Sequence, residues 1–128
     1  MVFVDTDVMV DILRGYPAAT EWLASLADEP IVLSGFVYAE LLQGCRNKKD
    51  QEDLQKRIAG YDIFWPAAET CNRAIDVFAE HFLCDGLGIL DALIGQTAAD
   101  LDVSLQTFNA KHYSCVPGLK AAEPYGRT

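Results

Sequence analysis

The chain has 128 residues, 51% of them hydrophobic and 23% charged, a balance that supplies the core of one domain of roughly 100–200 residues and excludes intrinsic disorder. Its 19 acidic against 10 basic residues leave a net charge of −9, which argues against binding nucleic acid by overall positive charge. No apolar run reaches the ~18 residues of a membrane span, and Met1-Val2-Phe3-Val4-Asp5 lacks the basic start of a secretory signal; the expectation is a cytoplasmic, single domain over residues 1–128.

Residues 1–5 are apolar and β-branched and read as a buried strand, followed by a helix over residues 8–14 with Asp7 as a plausible N-cap and Gly15 after its end. Pro17 suits the first turn of a second helix, which carries Trp22, Leu23 and Leu26 inward and stops before Pro30. Residues 31–33 form the next strand. After Ser34 and Gly35, the spacing of Val37, Tyr38, Leu41, Leu42 and Cys45 predicts an amphipathic helix ending near Gly44, and residues 50–59 continue as a helix bounded by Gly60.

Residues 63–65 read as a third strand closed by Pro66. A helix over residues 69–82 follows, with Cys71, Ile75, Phe78 and Phe82 expected on its buried face. Gly86 and Gly88 mark a turn, residues 89–101 a strongly apolar helix, and residues 103–107 a fourth strand; the tail with Pro117, Gly118 and Pro124 has room for a short edge strand. Strands separated by helical segments require crossover connections. The expected class is therefore α/β, with a mostly parallel sheet covered on both faces and ligands beyond the carboxyl ends of the strands.

Cys45, Cys71, Cys84 and Cys115 show no C-x-x-C spacing and are expected to act as small buried apolar groups. With His81 and His112 as the two histidines, a zinc site would have to be assembled from distant positions, His81 with Cys84 being the one close pair. Half of the ten basic residues, Arg46, Lys48, Lys49, Lys56 and Arg57, fall in one short segment. Two readings stay open for it: a local nucleic-acid patch or a solvated helix face.

Three acids break the apolar pattern. Asp5 ends the first strand, where capping chemistry is the ordinary alternative. Glu40 has Phe36, Val37, Leu41 and Gly44 as helical neighbours, so it lies at or beside the apolar stripe. Asp91 shares a helical face with Leu87, Ile94 and Ala98, although negative charge near a helix N-terminus is favoured in any case. Burying ionised carboxylates without a partner costs several kcal/mol, and no basic residue is near them in sequence. A shared hard cation, Mg²⁺ or Mn²⁺, or separate structural roles both account for them.

V-F-V-D-T-D-V-M-V-D at the start, S-G-F-V-Y-A-E-L-L-Q-G around Glu40, G-I-L-D-A-L-I-G-Q-T-A around Asp91 and L-Q-T-F-N-A-K-H-Y-S-C-V-P-G-L near the end together resemble a PIN-domain protein of the VapC toxin ribonuclease type. The resemblance spans nearly the whole chain. It implies a three-layer α/β/α sandwich, a homodimer, Mg²⁺-dependent cleavage of single-stranded or structured RNA, and a cognate VapB-type antitoxin, whose arginine enters the acidic site in some relatives. Carried over, Asp5, Glu40 and Asp91 are the metal-binding acids. Asn109 falls where many members have a fourth catalytic acid; its oxygen contributes no charge, which bears on a second metal. Thr6 and Thr107, at strand ends, are placed to hydrogen-bond the acids or a phosphate, with turn-stabilising hydroxyls as the alternative.

By the same resemblance, a metal-activated water leaves a 5′-phosphate and a 3′-hydroxyl, and no catalytic histidine is required; His112 is expected to be structural. RNA backbone would meet Arg46, Lys48, Lys49 and Lys111, and the remaining negative surface suits a basic antitoxin. Two other readings compete. D-T-D-V after a strand, with Ser34, Asp85 and Asp91, resembles a haloacid-dehalogenase-type phosphatase using the Asp5/Asp7 pair, but Asp85 follows a helical run and a suitable lysine is missing. A non-catalytic PIN-like interaction module would take Asn109 as a lapsed position. A response-regulator receiver is disfavoured because residues 63–66 supply no acceptor aspartate.

Overall fold

The structure, a computed structural model, describes residues 1–127. Strand β1 (Val2–Val4) and strand β2 (Ile31–Ser34) bury every one of their residues, which for an extended chain means that both faces are covered. Between them run α1 (Thr6–Leu13) and α2 (Pro17–Ser25), the latter opened by Pro17 in its first turn. Next come α3 (Gly35–Gln43), α4 (Lys48–Ile58), β3 (Asp62–Phe64), α5 (Ala68–Asp85), α6 (Ile89–Asp100) and β4 (Ser104–Gln106). A 3₁₀ turn, His112–Cys115, precedes β5 (Lys120–Ala122). The helices flank the sheet in a three-layer α/β/α arrangement, as the alternation of elements predicts.

All strand pairs are parallel, and the order is β3-β2-β1-β4-β5, with Val2 beside Ile31 and Phe3 beside Leu105. The chain first winds outward from β1 through β2 to β3, then crosses back to place β4 on the other side of β1. The carboxyl ends of β1 and β4 therefore flank the point where the strand order reverses, the crevice in which open parallel sheets gather ligands. Asp5 follows β1 and Thr107 follows β4. Phe3, Val4, Val8, Met9, Leu33, Leu87, Ile94 and Leu105 build the core beneath that crevice.

Several boundaries depart from the sequence expectation. Asp5, not Asp7, caps α1: its extended backbone ends the strand and its Oδ1 accepts the Thr6 N–H at 2.8 Å, so strand and helix meet without an intervening loop. Trp65 lies beyond β3, exposed, with its ring edge-on to Phe36. The stripe expected to bury α5 is only partly its core face: Cys71 and Phe78 are half-buried, and Phe78 packs against the core. Thr70, Ala74 and Val77 turn inward, whereas Ile75 and Phe82 are 48% and 49% exposed and Leu83 is 89% exposed. The helix α5 packs against α6, and the face it buries carries the smaller side chains Thr70, Ala74 and Val77. Cys84 is exposed and Cys45, Cys71 and Cys115 are half-buried, all as free thiols, rather than fully buried groups.

Gly35 opens α3 against the Trp65 indole, and a Cβ added there would overlap the ring. Gly35→Ala is expected to cost about 1–3 kcal/mol through forced displacement of Trp65 from Phe36, read as a lower urea midpoint. An unchanged midpoint would show that the indole swings aside freely.

Candidate active site

Asp5, Glu40 and Asp91 are separated by 35 and 51 residues in sequence, yet one carboxylate oxygen from each lies within 4.8 Å of the others. Each reaches that point for a local reason. Asp5 stands at the switch between strand and helix, Glu40 projects from the α3 face bordering the apolar stripe, and Asp91 sits in the first turn of α6, after the Gly86–Gly88 turn. Asp5 is buried, and Glu40 and Asp91 are half-buried.

Neutral donors hold the acids in place. The Thr107 hydroxyl donates to Asp5 Oδ2 at 2.8 Å, and the Thr6 hydroxyl donates to Glu40 Oε1 at 2.9 Å. Both hydroxyls bond acids, and that of Thr107 also stabilises its turn by accepting the Asn109 N–H. Tyr113 OH donates to Asp91 Oδ1 at 3.2 Å and is also in hydrogen-bond contact with Asp5, and His112 Nε2 lies 3.0 Å from Asp91 Oδ2. Tyr113 is fully buried, and its ring rests against Gly95, where a Cβ would come within 3.1 Å of it.

Asn109 does not join the three acids directly. Its side-chain amide donates to Asp7 Oδ2 at 3.4 Å, and its backbone N–H donates to the Thr107 hydroxyl at 3.0 Å. Asp7 also accepts the Phe108 N–H at 3.0 Å and the Val8 N–H at 2.7 Å. This fourth acid ties the start of α1 to the segment after β4. Sequence reading missed its role, because a carboxylate in a first turn reads as a cap, and missed Tyr113 altogether; an aromatic next to His112 carries no acid-binding mark.

The acids repel one another and are poorly hydrated. Burial, reinforced by the charge of Asp7, pushes the Asp5 carboxyl up from 3.8 to about 6 despite its hydroxyl and amide donors. Burial raises Glu40 as well, with the charges of Asp91 and Asp7 adding to it, and raises Asp7. Burial and the charges of Asp5 and Asp91 push the Tyr113 hydroxyl far up, so it remains a donor. Among the described residues no Lys or Arg forms an ion pair with Asp5, Glu40 or Asp91.

An all-oxygen donor set with surplus negative charge suits a hard divalent cation. Oxygens around Mg²⁺ at about 2.1 Å lie about 3 Å apart when adjacent and about 4 Å when opposite, so a separation of at most 4.8 Å closes by side-chain rotation. The residues fit the divalent ion that the family resemblance implies.

The basic residues are exposed. Arg46 is engaged with Asp50 at 3.2 Å, Lys48 and Lys49 are exposed at the start of α4, and exposed Lys111 borders a cavity together with Asn109 and His112. No helix among the described residues is long and apolar enough to cross a membrane.

Residues 2–115 match the PIN domain family model. Ribonuclease VapC10 of Mycobacterium tuberculosis is 34% identical over 123 residues, covering 94% of this chain and 91% of the relative. Ribonuclease VapC19 of the same organism is 33% identical over 130 residues, covering 94% and 98%. Similar solved structures include VapBC2 from Rickettsia felis bound to a DNA fragment from their promoter, with a TM-score of 0.78, 24% identity and coverage of 96% and 98%. A toxin–antitoxin complex from Klebsiella pneumoniae superposes with a TM-score of 0.75 at 22% identity, covering 98% of each chain.

Proposed function

The chain belongs to the PIN-domain family of VapC-type ribonucleases, and on that premise we propose that it is the toxin of a toxin–antitoxin pair, a Mg²⁺- or Mn²⁺-dependent endoribonuclease acting as one domain over residues 1–128 in the cytoplasm. One observation carries the metal dependence: three carboxylates from remote segments converge within 4.8 Å of one another and, among the described residues, pair with no Lys or Arg. Asp5, Glu40 and Asp91 hold the ion, and Thr107 and Thr6 fix the orientations of Asp5 and Glu40. When bound, the ion neutralises the charge that keeps a phosphodiester away from this site and lowers the pKa of a water for in-line attack.

The remaining steps belong to the chain itself. Tyr113 and His112 hold Asp91, and the Tyr113 hydroxyl also reaches Asp5. Asn109 and Asp7 form the rim where the segment after β4 meets α1, and Asn109 is placed there to meet the scissile phosphate or its water as a neutral polar group. Arg46, Lys48, Lys49 and Lys111 approach the backbone of single-stranded or structured RNA as local positive charge on an otherwise negative molecule. That negative surface also suits a basic VapB-type antitoxin. Purified protein incubated with total RNA is expected to cleave it in Mg²⁺ or Mn²⁺ and to leave it intact in chelator; cleavage that persists in chelator would reject the metal-dependent reading.

The exposed face of α5 supports a homodimer. Ile75, Phe82 and Leu83, with Ile89 from the start of α6 at 37% exposure, leave apolar surface that a lone copy has no use for. Leu83→Glu, at a position 89% exposed, is expected to weaken self-association by about tenfold or more without unfolding the chain. Light scattering across a dilution series checks this, and a mass unaffected by the charge would exclude α5 as the contact.

A further inference from the structure

We propose that His81, Asp85 and Cys115 form a second metal site, one that takes a zinc-class transition metal through a thiolate and is separate from the Asp5, Glu40 and Asp91 cluster. His81 and Asp85 stand one turn apart on α5, and Cys115 ends the 3₁₀ turn packed against that helix. One donor atom from each lies within 4.8 Å of the others, and His81 Nδ1 is already 2.6 Å from Asp85 Oδ2. The donor set is one nitrogen, one sulfur and one carboxylate oxygen. That mixture selects a borderline-soft ion over Mg²⁺, whereas the all-carboxylate cluster does the reverse.

The geometry requires only small adjustments. With Zn–N and Zn–O near 2.0–2.1 Å and Zn–S near 2.3 Å, donors on a tetrahedral ion sit about 3.3–3.6 Å apart. The His81–Asp85 pair opens from its hydrogen-bond distance, and the longer separations, at most 4.8 Å, close. Asp85 and Cys115 line a cavity of about 650 Å³ bounded also by Ser114 and His112, which gives an ion a route in and leaves space for a water as fourth ligand. Asp85 and a Cys115 thiolate together neutralise a doubly charged ion. Burial keeps the Cys115 thiol above its ordinary value in the absence of metal, so binding releases its proton to solvent. The site ties the end of α5 to the turn whose His112 and Tyr113 hold Asp91.

Co²⁺ added to the metal-free, reduced full-length chain tests this by absorption, because a sulfur ligand produces a charge-transfer band that carboxylates cannot. The band is expected in the unsubstituted protein, in Cys84→Ser and in Asp5→Asn, to be lost in Cys115→Ser, and to be reversed by Zn²⁺. His81→Gln and Asp85→Asn, at partly exposed positions where folding is not at stake, are expected to weaken Co²⁺ binding by about tenfold or more. Absence of the band from the unsubstituted protein, its survival in Cys115→Ser, or full affinity in both His81→Gln and Asp85→Asn would overturn the proposal. Because the band requires no RNA cleavage and no Asp5, its loss leaves the nuclease reading standing, and failure of the nuclease reading leaves the band interpretable.

Discussion

Asp5→Asn is expected to abolish RNA cleavage and, in the absence of metal, to make the protein more stable at neutral pH. The two effects have opposite signs and one cause. Asp5 is 5% exposed and shares its pocket with Glu40 and Asp91, so its charge is costly until a cation arrives. On the proposed function, removing that charge takes away a metal ligand, with an expected loss of several kcal/mol of transition-state stabilisation and hence at least about a thousandfold in cleavage rate. The Asn oxygen still accepts from Thr6 or Thr107, and the relief of the buried charge is worth up to about 3 kcal/mol at pH 7, from a carboxyl raised from 3.8 to about 6. Single-turnover cleavage and urea unfolding in chelator read the two effects. A variant that is inactive and also destabilised would mean that Asp5 serves mainly as the α1 cap, the ordinary role its position allows.

The pH dependence follows with its sign. A carboxyl whose pKa is higher in the folded than in the unfolded chain binds more protons when folded. Its contribution is therefore greatest below about pH 4 and is lost as pH rises through about 6. Glu40 and Asp7 are raised too and act in the same direction, whereas Asp100, lowered by its hydrogen bond from Arg73, gains stability as pH rises through the bottom of the range. Comparing the unsubstituted protein with Asp5→Asn isolates the first effect. Their unfolding free energies in chelator are expected to diverge by up to about 3 kcal/mol between pH 4 and 7, and saturating Mn²⁺ is expected to restore the unsubstituted protein alone. Parallel pH profiles, or equal stabilisation of both by Mn²⁺, would contradict a charged, metal-seeking Asp5.

Much of this was legible in the sequence because it depends on local pattern. Buried strands announce themselves as short β-branched runs, and acids inside or beside apolar spacing are conspicuous, so Asp5, Glu40 and Asp91 stood out before any coordinates. The parallel sheet followed from the alternation of strands and helices. What depends on packing between distant segments was not legible. Tyr113 meets Asp91 across 22 residues, and neither residue's neighbours hint at the other. The α5 helix carries apolar side chains on more than one face, from Ala74 and Val77 to Ile75, Phe82 and Leu83, so periodicity alone could not choose which face packs inward. Asp7 was misassigned as a cap for a related reason: the backbone enters the helix two residues earlier than a turn-based reading allows.

The central claim is that three remote carboxylates form one cation site at the crevice above β1. Anomalous scattering from crystals soaked in Mn²⁺ tests it most directly. The expected result is a manganese peak bonded to oxygens of Asp5, Glu40 and Asp91 and missing from Asp5→Asn crystals; manganese that is ordered elsewhere in the molecule while these carboxylates stay bare would contradict it.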